Sequence, residues 1–400
     1  MNGYYQIYRR NRTTGIRDTL IQRYTEFTLH LNWGEVSKFT ISGKTVGEIE
    51  LQAGDGVCFY RNNELILSGI VEEIRIKCED VGSGLKEWTA DGNEDSIIFS
   101  HFLTWADPAT PTFADGVVDK VSDYAYNRQL HYIRYNMGAD AYWGRPIEGL
   151  TLPESANLGQ NTDSVARYEM LDKILQDIGA EVVDGRENGL YPRFVWNPDT
   201  GAKSIIIPQQ RDMTASVIVA PEYGNIIDWE KRYTVPTCNA VVVVSSDFKD
   251  EDDNDRRIFV YQNDADSEAK FGHIEKLVTA SDVKVGTYEG KTVTEEEAYD
   301  LLNNRAKAEL EAGAYKLWFS GTMVETPELQ FMTHWRCGDL VTCIIDGESF
   351  ETTIKTVEIN FSDNFEAVKP TLGECEKGVF ARVFQNIKGL DTRMKQKELD

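Results

Sequence analysis

The stretch RCGDLVTCIIDGESFETTIKTVEI (residues 336–359) has the pattern of two β-strands around a turn, and AGDGVCFYRNNELILSGIVEEI (residues 53–74) repeats much of it near the other end of the chain. Aligning Gly54-Asp55 with Gly338-Asp339 brings further identities into register: Val57 with Val341, Glu64 with Glu348 and Ile70 with Ile354. A slip of two residues places Val71-Glu72 over Val357-Glu358, and FTISG (39–43) is echoed by LWFSG (317–321). The shared order of strands and turns predicts one small β fold present twice.

Length and composition restrict the class of protein. A chain of 400 residues exceeds what one hydrophobic core usually serves, which predicts roughly two to four domains. The net charge of −24 repels phosphate, so a reader of nucleic acid sequence is disfavoured, whereas a surface past which nucleic acid slides fits this charge. No apolar run approaches the roughly 18–20 residues of a membrane span. The six scattered cysteines form no C-x-x-C pair and predict free, buried thiols.

The predicted fold class is mixed β with an α/β insertion, in which two related β units flank the inserted region. Residues 1–98 form the first β unit, because short aromatic and β-branched runs recur between Gly, Asn and Asp. Residues 99–235 form the insertion. Its predicted helices are DGVVDKVSDYAYNRQL (115–130), with Val117, Val121 and Tyr124 on one face, and TDSVARYEMLDKILQDIG (162–179), capped by Thr162 or Asp163, with Val165, Tyr168, Leu171, Ile174, Leu175 and Ile178 facing inward. A hairpin is predicted across the turn at 197–201.

Residues 236–312 are predicted to link the β units. NAVVVVSS (239–246) is typical of a strand buried on both faces, and the acidic run at 247–255 indicates an exposed loop. A helix follows, with a capping box formed by Thr294 and Glu297. Its inward-facing residues are predicted to be Ala298, Leu301, Leu302 and Leu310.

The second β unit is predicted over 313–372, and the tail over 373–400 is predicted to be an amphipathic helix. The tail has a regular apolar stripe that is the one candidate oligomer or partner interface, formed by Val379, Val383, Ile387, Leu390 and Met394.

The sequence contains no recognised catalytic or metal-binding signature. The five histidines are not spaced as metal ligands, and no nucleophile elbow, P-loop or dinucleotide fingerprint occurs. An EF-hand counted from Asp247 fails, because Asp252 and Ile258 stand where Gly and Glu are needed. We therefore expect no catalytic residue, no cofactor and no metal. Trp105, Trp143 and Trp196 either line a sugar groove or belong to a core or interface, and their scatter favours the latter.

Four segments, taken in order, resemble phage tail-tip and baseplate-hub proteins, a group that includes contractile-tail hubs and Gp37-like tail-associated proteins of siphoviruses. The segments are LSGIVEEI (67–74), DWEKRYTVPTCNAVVVVSS (228–246), EEEAYDLLNNRAKAEL (295–310) and CGDLVTCIIDGESFETTIKTVEINF (337–361). The resemblance implies that the two β units are tube-type β-barrels. It also implies that three subunits place six barrels in a ring, so that a threefold hub continues a sixfold tail tube.

The same resemblance implies the partners and the location. They are two further copies of the chain as a homotrimer, a tail tube or distal tail protein above, tip, spike or receptor-binding proteins below, and a tape-measure protein. The protein is then expected in the tail tip or baseplate of a virion assembled in the host cytoplasm, where DNA passes through the ring. Two alternatives stay open: a host-surface carbohydrate-binding tail protein that acts through its central insertion, and a peptidoglycan hydrolase.

Overall fold

The computed structural model describes residues 3–78, 81–105, 118–183, 186–249, 253–281, 283, 285–288, 291–363 and 365–373. The chain divides into two compact units. The larger unit contains Met1–Glu181, Glu187–Glu230 and Phe319–Asp400, and the smaller unit contains Val182–Arg186 and Lys231–Trp318. The predicted tail helix over 373–400, with its stripe Val379, Val383, Ile387, Leu390 and Met394, lies outside the described residues except for Gly373.

The first hundred residues form strands, as their pattern of short β-branched and aromatic runs predicts. Buried and exposed positions alternate along β4, for example, as expected for a strand with one face on a core. The strands are β1 (Tyr5–Arg10), β2 (Arg17–Leu20), β3 (Glu26–Asn32), β4 (Lys38–Thr45), β5 (Gly56–Arg61), β6 (Glu64–Lys77) and β7 (Lys86–Glu94). A 3₁₀ helix over Asp95–His101 follows.

The next part of the larger unit mixes short strands with two helices. The elements are β8 (Asp119–Tyr124), α1 (Ala125–Asn136), β9 (Leu150–Thr151), β10 (Asn161–Ala166), α2 (Leu171–Gly179), β11 (Val182–Val183), β12 (Arg186–Glu187), β13 (Arg193–Trp196), β14 (Lys203–Ile206), β15 (Ile218–Val219), a 3₁₀ turn over Pro221–Tyr223, and β16 (Ile226–Thr234). The predicted hairpin is confirmed, because β13 and β14 pair antiparallel across the turn at 197–201.

Both helices predicted in this region begin later than the sequence pattern indicated. The stretches expected to form their first turns are instead strands β8 and β10, which pair antiparallel from Asn161–Tyr124 to Ala166–Asp119. Val121 is therefore on a strand, Val165 and Tyr168 are exposed, and Val117 is outside the described residues. The inward positions of α2 were predicted correctly: Leu171, Ile174, Leu175 and Ile178 are buried. They pack with α1 and the β13–β14 hairpin into a separate core.

The smaller unit is built on a three-stranded sheet in the order β20-β17-β21. Its elements are β17 (Ala240–Ser245), β18 (Phe248–Lys249), β19 (Asp255–Arg256), β20 (Phe259–Asn263), α3 (Ala265–Phe271), β21 (Glu275–Ala280), β22 (Gly286–Tyr288), β23 (Lys291–Val293) and α4 (Glu295–Gly313). Strand β17 is central and, as predicted, buried along almost its whole length, and Val241 and Val243 pack with Ala298 and Leu302 of α4.

Helix α4 confirms the capping box. The backbone N–H of Thr294 donates to Glu297 Oε2 at 2.9 Å, and the N–H of Glu297 donates to Thr294 Oγ1 at 3.1 Å. The prediction that Leu301 faces inward is wrong, because Leu301 is 50% exposed, whereas Leu302 is fully buried.

The last four strands complete the largest sheet. They are β24 (Lys316–Met323), β25 (Leu340–Ile345), β26 (Glu348–Ser362) and β27 (Phe365–Gly373). The sheet has 13 strands with the main order β16-β24-β27-β26-β3-β4-β7-β6-β5-β1-β2, while β25 pairs with both β26 and β15. This order is an open path, so the described strands do not form two separate closed barrels. One core beneath the sheet draws residues from both halves of the chain.

The two β segments have the same strand order, in agreement with the repeat seen in the sequence. In the first, the order is β3-β4-β7-β6-β5, and in the second it is β16-β24-β27-β26-β25. Each segment contains one unusually long strand, β6 or β26, which pairs with the preceding strand in its first part and with the following strand in its second part. Both long strands have a bulge at the changeover, between Val71 and Glu73 and between Ile354 and Thr356.

The strand pairing corrects part of the sequence alignment. Val57 with Val341 and Glu64 with Glu348 are equivalent, but β6 then has an extra bulge residue near Ile66, so Val71 matches Ile354 and Ile70 matches Thr353. The slip that placed Val71-Glu72 over Val357-Glu358 is therefore wrong. The echo of FTISG in LWFSG is also out of register, because strand pairing makes Phe39 equivalent to Gly321. Phe39 lies opposite Gly92, Gly321 lies opposite Leu372, and Gly92 and Leu372 occupy matching positions of β7 and β27.

Candidate assembly interface

The two β segments are joined inside the chain by strand pairing. The second part of β26 pairs antiparallel with β3, from Thr356–Asn32 to Ser362–Glu26. The Thr28 hydroxyl donates to Asn360 Oδ1 at 2.8 Å across this junction, and His30 lies 3.9 Å from Glu358. The junction therefore uses the backbone of both strands together with paired polar side chains on the exposed face.

Aromatic side chains fill the buried face of the junction. The rings of Phe27 and Phe361 stack with centroids 5.0 Å apart, and Tyr5 meets both rings edge-on at 4.9 and 5.4 Å. Edge-to-face and offset contacts of this kind add about 0.5–1.5 kcal/mol per pair beyond the buried area. Strand addition and aromatic packing together hold the two segments in one register.

A buried ion pair also joins the segments. The Arg61 guanidinium donates to both carboxylate oxygens of Glu366 at 2.8 and 3.1 Å, and the two side chains are 6% and 2% exposed. Glu366 also accepts from the Tyr5 hydroxyl and, at 2.6 Å, from the Gly3 N–H. Burial alone raises the pKa of the Glu366 carboxyl, but these hydrogen bonds outweigh that effect and hold its pKa below the usual range.

Arg61 and Glu366 were not found from the sequence. They stand 305 positions apart in the chain, and each occupies a strand without any local motif. The available signal was weak: an ionisable residue within each of two repeated strand sets.

The two Gly-Asp turns share a geometry but differ in what covers them. Gly54 and Gly338 both have positive φ, and each N–H donates at 2.8 Å to the matching residue of the long strand. The carboxylates of Asp55 and Asp339 each accept from a backbone N–H three residues earlier. Asp339 is in addition bound by Arg211 through two hydrogen bonds of 2.8 and 2.6 Å.

Coverage is the difference between the turns. Gly338 is buried beneath the indole of Trp33, which follows β3, and a Cβ built there would lie 2.2 Å from the ring. Gly54 is exposed, and the nearest atom to such a Cβ is 3.8 Å away on Arg12. The second turn is covered because β3 passes beside it, and no described strand passes beside the first.

The long strand β6 shows the same asymmetry. Its residues Glu73–Ile76 pair with β7 on one side, and no described strand pairs with them on the other side, where β26 receives β3. Ile76 is 56% exposed, whereas its equivalent Ile359 is fully buried. Strand β16 ends the sheet order, and it is the counterpart of β3. The described chain therefore has one occupied strand junction and two complementary edges that remain open.

Groups that would suggest catalysis are tied up in structural pairs. A cavity of about 360 Å³ in the larger unit is lined by Glu94, Asp95 and Arg193 among others. Glu94 accepts from Arg193 at 3.0 Å, and Asp95 accepts from Arg10 and, at 2.6 Å, from Ser68. Over the part of the chain that the structure describes, no three His, Cys, Asp or Glu side chains gather as metal ligands.

The acidic run at 247–255 forms ion pairs within the smaller unit. Asp247 pairs with Arg257, and Asp255 lies 2.9 Å from Lys249, while 250–252 of the acidic run fall outside the described residues. Cys58, Cys238 and Cys343 are buried free thiols as predicted, whereas Cys78 is exposed. Burial raises the pKa of Cys58 to about 11 and that of Cys343 to about 12, so both stay protonated at neutral pH.

Two of the three tryptophans that were candidates for a sugar groove contact each other. Trp105 and Trp143 contact edge-to-face with centroids 4.5 Å apart, and Tyr168 lies 5.6 Å from Trp105. Trp143 is 60% exposed, so this cluster presents an aromatic surface. Trp196 lies elsewhere, with the Arg10 guanidinium 4.2 Å over its ring.

Two solved structures with a similar fold are tail proteins. The 43 kDa tail protein of prophage MuSo2 from Shewanella oneidensis superposes with a TM-score of 0.53 at 11% identity, covering 92% of this chain and 98% of that one. The tail protein from Neisseria meningitidis MC58 gives 0.50 at 13% identity, covering 92% and 96%. At these identities the likeness concerns the fold.

Other comparisons address membership of a family. No helix among the described residues is long and apolar enough to cross a membrane. No curated protein matches the chain significantly. The family described as Siphovirus ReqiPepy6 Gp37-like protein matches residues 7–374. Since this match spans nearly the whole sequence, the chain belongs to the Siphovirus ReqiPepy6 Gp37-like family.

Proposed function

We propose that this chain is a structural protein of a phage tail, and that three copies form a hub ring that joins the tail tube to the tip. In this assembly each β segment serves as one tube-type unit, so three chains supply six units. Neighbouring tail components bind above and below the ring, and the protein is located in the virion. The chain performs no catalysis in this role.

The observation that carries the proposal is the repeated strand order. A threefold assembly matches a sixfold tube only when each chain presents an equivalent surface twice. The segments β3-β4-β7-β6-β5 and β16-β24-β27-β26-β25 supply that equivalence. The family and the folds of the tail proteins described above support the tail setting.

The acidic composition supports passage of DNA through the ring. Three copies of a chain with net charge −24 carry −72 between them, a field that opposes adhesion of phosphate to the protein. The charge thereby favours release of DNA in transit. Neutralising acidic residues that line the channel is expected to slow genome ejection.

The oligomeric state tests the proposal directly. We expect light scattering after size exclusion, together with native mass spectrometry, to give three chains per particle. Class averages in electron microscopy are expected to show a ring with six similar lobes. A chain that stays monomeric at every concentration, and a virion tail tip that lacks it, would contradict the proposal.

A second candidate function rests on the exposed Trp143 cluster. Aromatic faces stack on sugar rings, and Trp143, Trp105 and Tyr168 form an edge-to-face cluster in the larger unit, from which the Trp143 ring is the most exposed. Trp143 and Tyr168 also hold positive φ values of 56° and 57°, which are uncommon for bulky residues. If this cluster binds host polysaccharide, Trp143→Ala abolishes adsorption of the purified protein to host cell walls. The matched control is Tyr223→Ala, since Tyr223 is 62% exposed outside the cluster.

A further inference from the structure

The strands β3 and β26 form a junction inside the chain. The two strands equivalent to them, β16 and β6, lie at different edges of the larger unit. Equivalence of the long strands maps Thr356–Ile359 of β26 onto Glu73–Ile76 of β6. In β26 this stretch receives β3, while in β6 it receives no described strand. An exposed strand edge of this kind is a template for pairing with another chain.

The strand that fits this edge is identified by the same equivalence. Strand β16 flanks β24 as β3 flanks β4. The Val324 N–H donates to the Asn225 carbonyl at 2.9 Å, and continuing this antiparallel register places Met323 opposite Ile226 and Gly321 opposite Asp228. Ile226 is buried in the core, as Phe27 is at the matching position of β3. The outer edge of β16 therefore corresponds to the edge of β3 that pairs with β26.

We propose that the outer edge of β16, over Asp228–Glu230, pairs antiparallel with Ile74–Ile76 of β6 in a second copy of the chain. This contact repeats between copies the β3–β26 junction that each chain contains. It is head-to-tail, so successive copies add in one direction until the ring closes. Closure at three copies rests on the proposed function, whereas the identity of the two edges rests on the strand equivalence.

The equivalence also fixes the register. His30 pairs with Glu358 within the chain, and their counterparts are Trp229 and Arg75. The inferred interface therefore places the Arg75 guanidinium beside the Trp229 indole, a cation–π contact. Both side chains are exposed in the single chain, Arg75 by 64% and Trp229 by 39%.

Asp228 and Glu230 lie on the opposite face of β16 from Trp229, because successive side chains of a strand alternate between its two faces. The cation–π contact is therefore the side-chain contact that the register assigns to the exposed face. Strand addition also covers the exposed first Gly-Asp turn, as β3 covers the second.

Disulfide cross-linking between distinguishable chains tests the pairing. One chain carries Arg75→Cys and a large tag, and the other carries Trp229→Cys without a tag. Both carry Cys78→Ser and Cys375→Ser, which remove an exposed thiol and the cysteine that lies outside the described residues. After co-expression and mild oxidation, we expect a non-reducing gel to show a band with the mass of one tagged plus one untagged chain. Replacing Arg75→Cys by Ile206→Cys, on another exposed strand position, is expected to reduce that band at least tenfold.

The register has its own control. Ile227→Cys lies two residues from Trp229 on the same face of β16, and we expect it to link to Arg75→Cys less than Trp229→Cys does. A trimer by mass that forms no link between the tagged and untagged chains overturns the inferred edges and leaves the proposed function standing. Chains that never associate contradict both.

A charge reversal supplies a second measurement. Arg75→Glu removes the cation over the Trp229 indole and places an anion against the negative face of that ring, so we expect the trimer to dissociate at least tenfold more readily. Lys44→Glu is the matched control, because Lys44 is also an exposed cation paired across strands in the first β segment. It changes the net charge equally, and an equal effect of both variants would overturn the local contact.

Discussion

The Glu366 carboxylate takes part in the joint between the two β segments through a buried ion pair. It is buried and accepts four hydrogen bonds, from Arg61, Tyr5 and Gly3. We expect Glu366→Gln to lower the free energy of unfolding of the larger unit by about 3–5 kcal/mol, because the buried Arg61 charge loses its bidentate partner and is left with the more exposed Glu325, whose carboxylate lies 3.7 Å away. Urea denaturation followed by tryptophan fluorescence measures this change.

The control is Glu87→Gln, which removes an exposed carboxylate that lies 2.6 Å from Lys44. An exposed pair contributes about 0–1 kcal/mol, so this variant is expected to unfold almost as the wild type does. Equal losses for both variants would show that burial of Glu366 carries no special weight.

The same residue predicts how stability depends on pH. Because the pKa of Glu366 is lower in the folded protein than in the unfolded chain, the stabilisation is fully present above the unfolded pKa of about 4.3. It is lost as pH falls through the lower folded pKa. Wild type is therefore expected to lose stability relative to Glu366→Gln below about pH 4.3, and a constant difference down to pH 2 would contradict the assignment.

At the scale of elements, the two Gly-Asp turns provide an internal comparison. Gly54 and Gly338 have φ values of 88° and 95°, so alanine is strained at either position. Only Gly338 lies against Trp33, where a Cβ would clash with the ring. We expect Gly54→Ala to cost about 1–2 kcal/mol and Gly338→Ala about 1–3 kcal/mol more, measured by thermal or urea unfolding.

The difference in unfolding free energy between Gly54→Ala and Gly338→Ala measures the contribution of the contact with Trp33, which follows β3. If both substitutions cost the same, the Trp33 contact adds nothing to backbone strain. If Gly338→Ala is the more harmful, passage of β3 over the second turn is part of what fixes the junction.

Local chemistry in the sequence was enough to predict several elements. The capping box of α4 and the hairpin at 197–201 depend on residues a few positions apart, and both are confirmed. The starts of α1 and α2 were misjudged because residues 119–124 and 161–166 find each other as paired strands, a contact about 40 positions apart that no local pattern reports. Tertiary pairing there overrides helical spacing.

The repeat was detectable from the sequence, but its register was not. A turn of two residues with positive φ, at Asn62-Asn63 or at Asp346-Gly347, is recognisable in the sequence because Asn, Asp and Gly are favoured there. The extra bulge residue in β6 leaves no such trace in the sequence, and it shifts every later equivalence by one position. The Arg61–Glu366 pair and the open edges of β6 and β16 follow from strand order, which only the structure supplies.

For the whole molecule, the proposed ring sets short-range strand pairing against long-range charge repulsion. Each chain has a net charge of −24, and copies repel one another at distances up to the Debye length, which is about 30 Å at 0.01 M salt and about 8 Å at 0.15 M. Backbone pairing between β16 and β6 is insensitive to salt by comparison. We therefore expect the trimer to tighten as sodium chloride rises from about 0.01 M to about 0.15 M.

Sedimentation equilibrium at several salt concentrations measures this tightening. The expected result is a fall of the monomer–trimer dissociation constant by at least tenfold over the range. The Lys44→Glu variant, with a net charge of −26, is expected to show a steeper salt dependence than the wild type, because its self-repulsion is larger. A trimer that weakens with added salt would mean that attraction between opposite charges, rather than strand addition, provides most of the binding free energy.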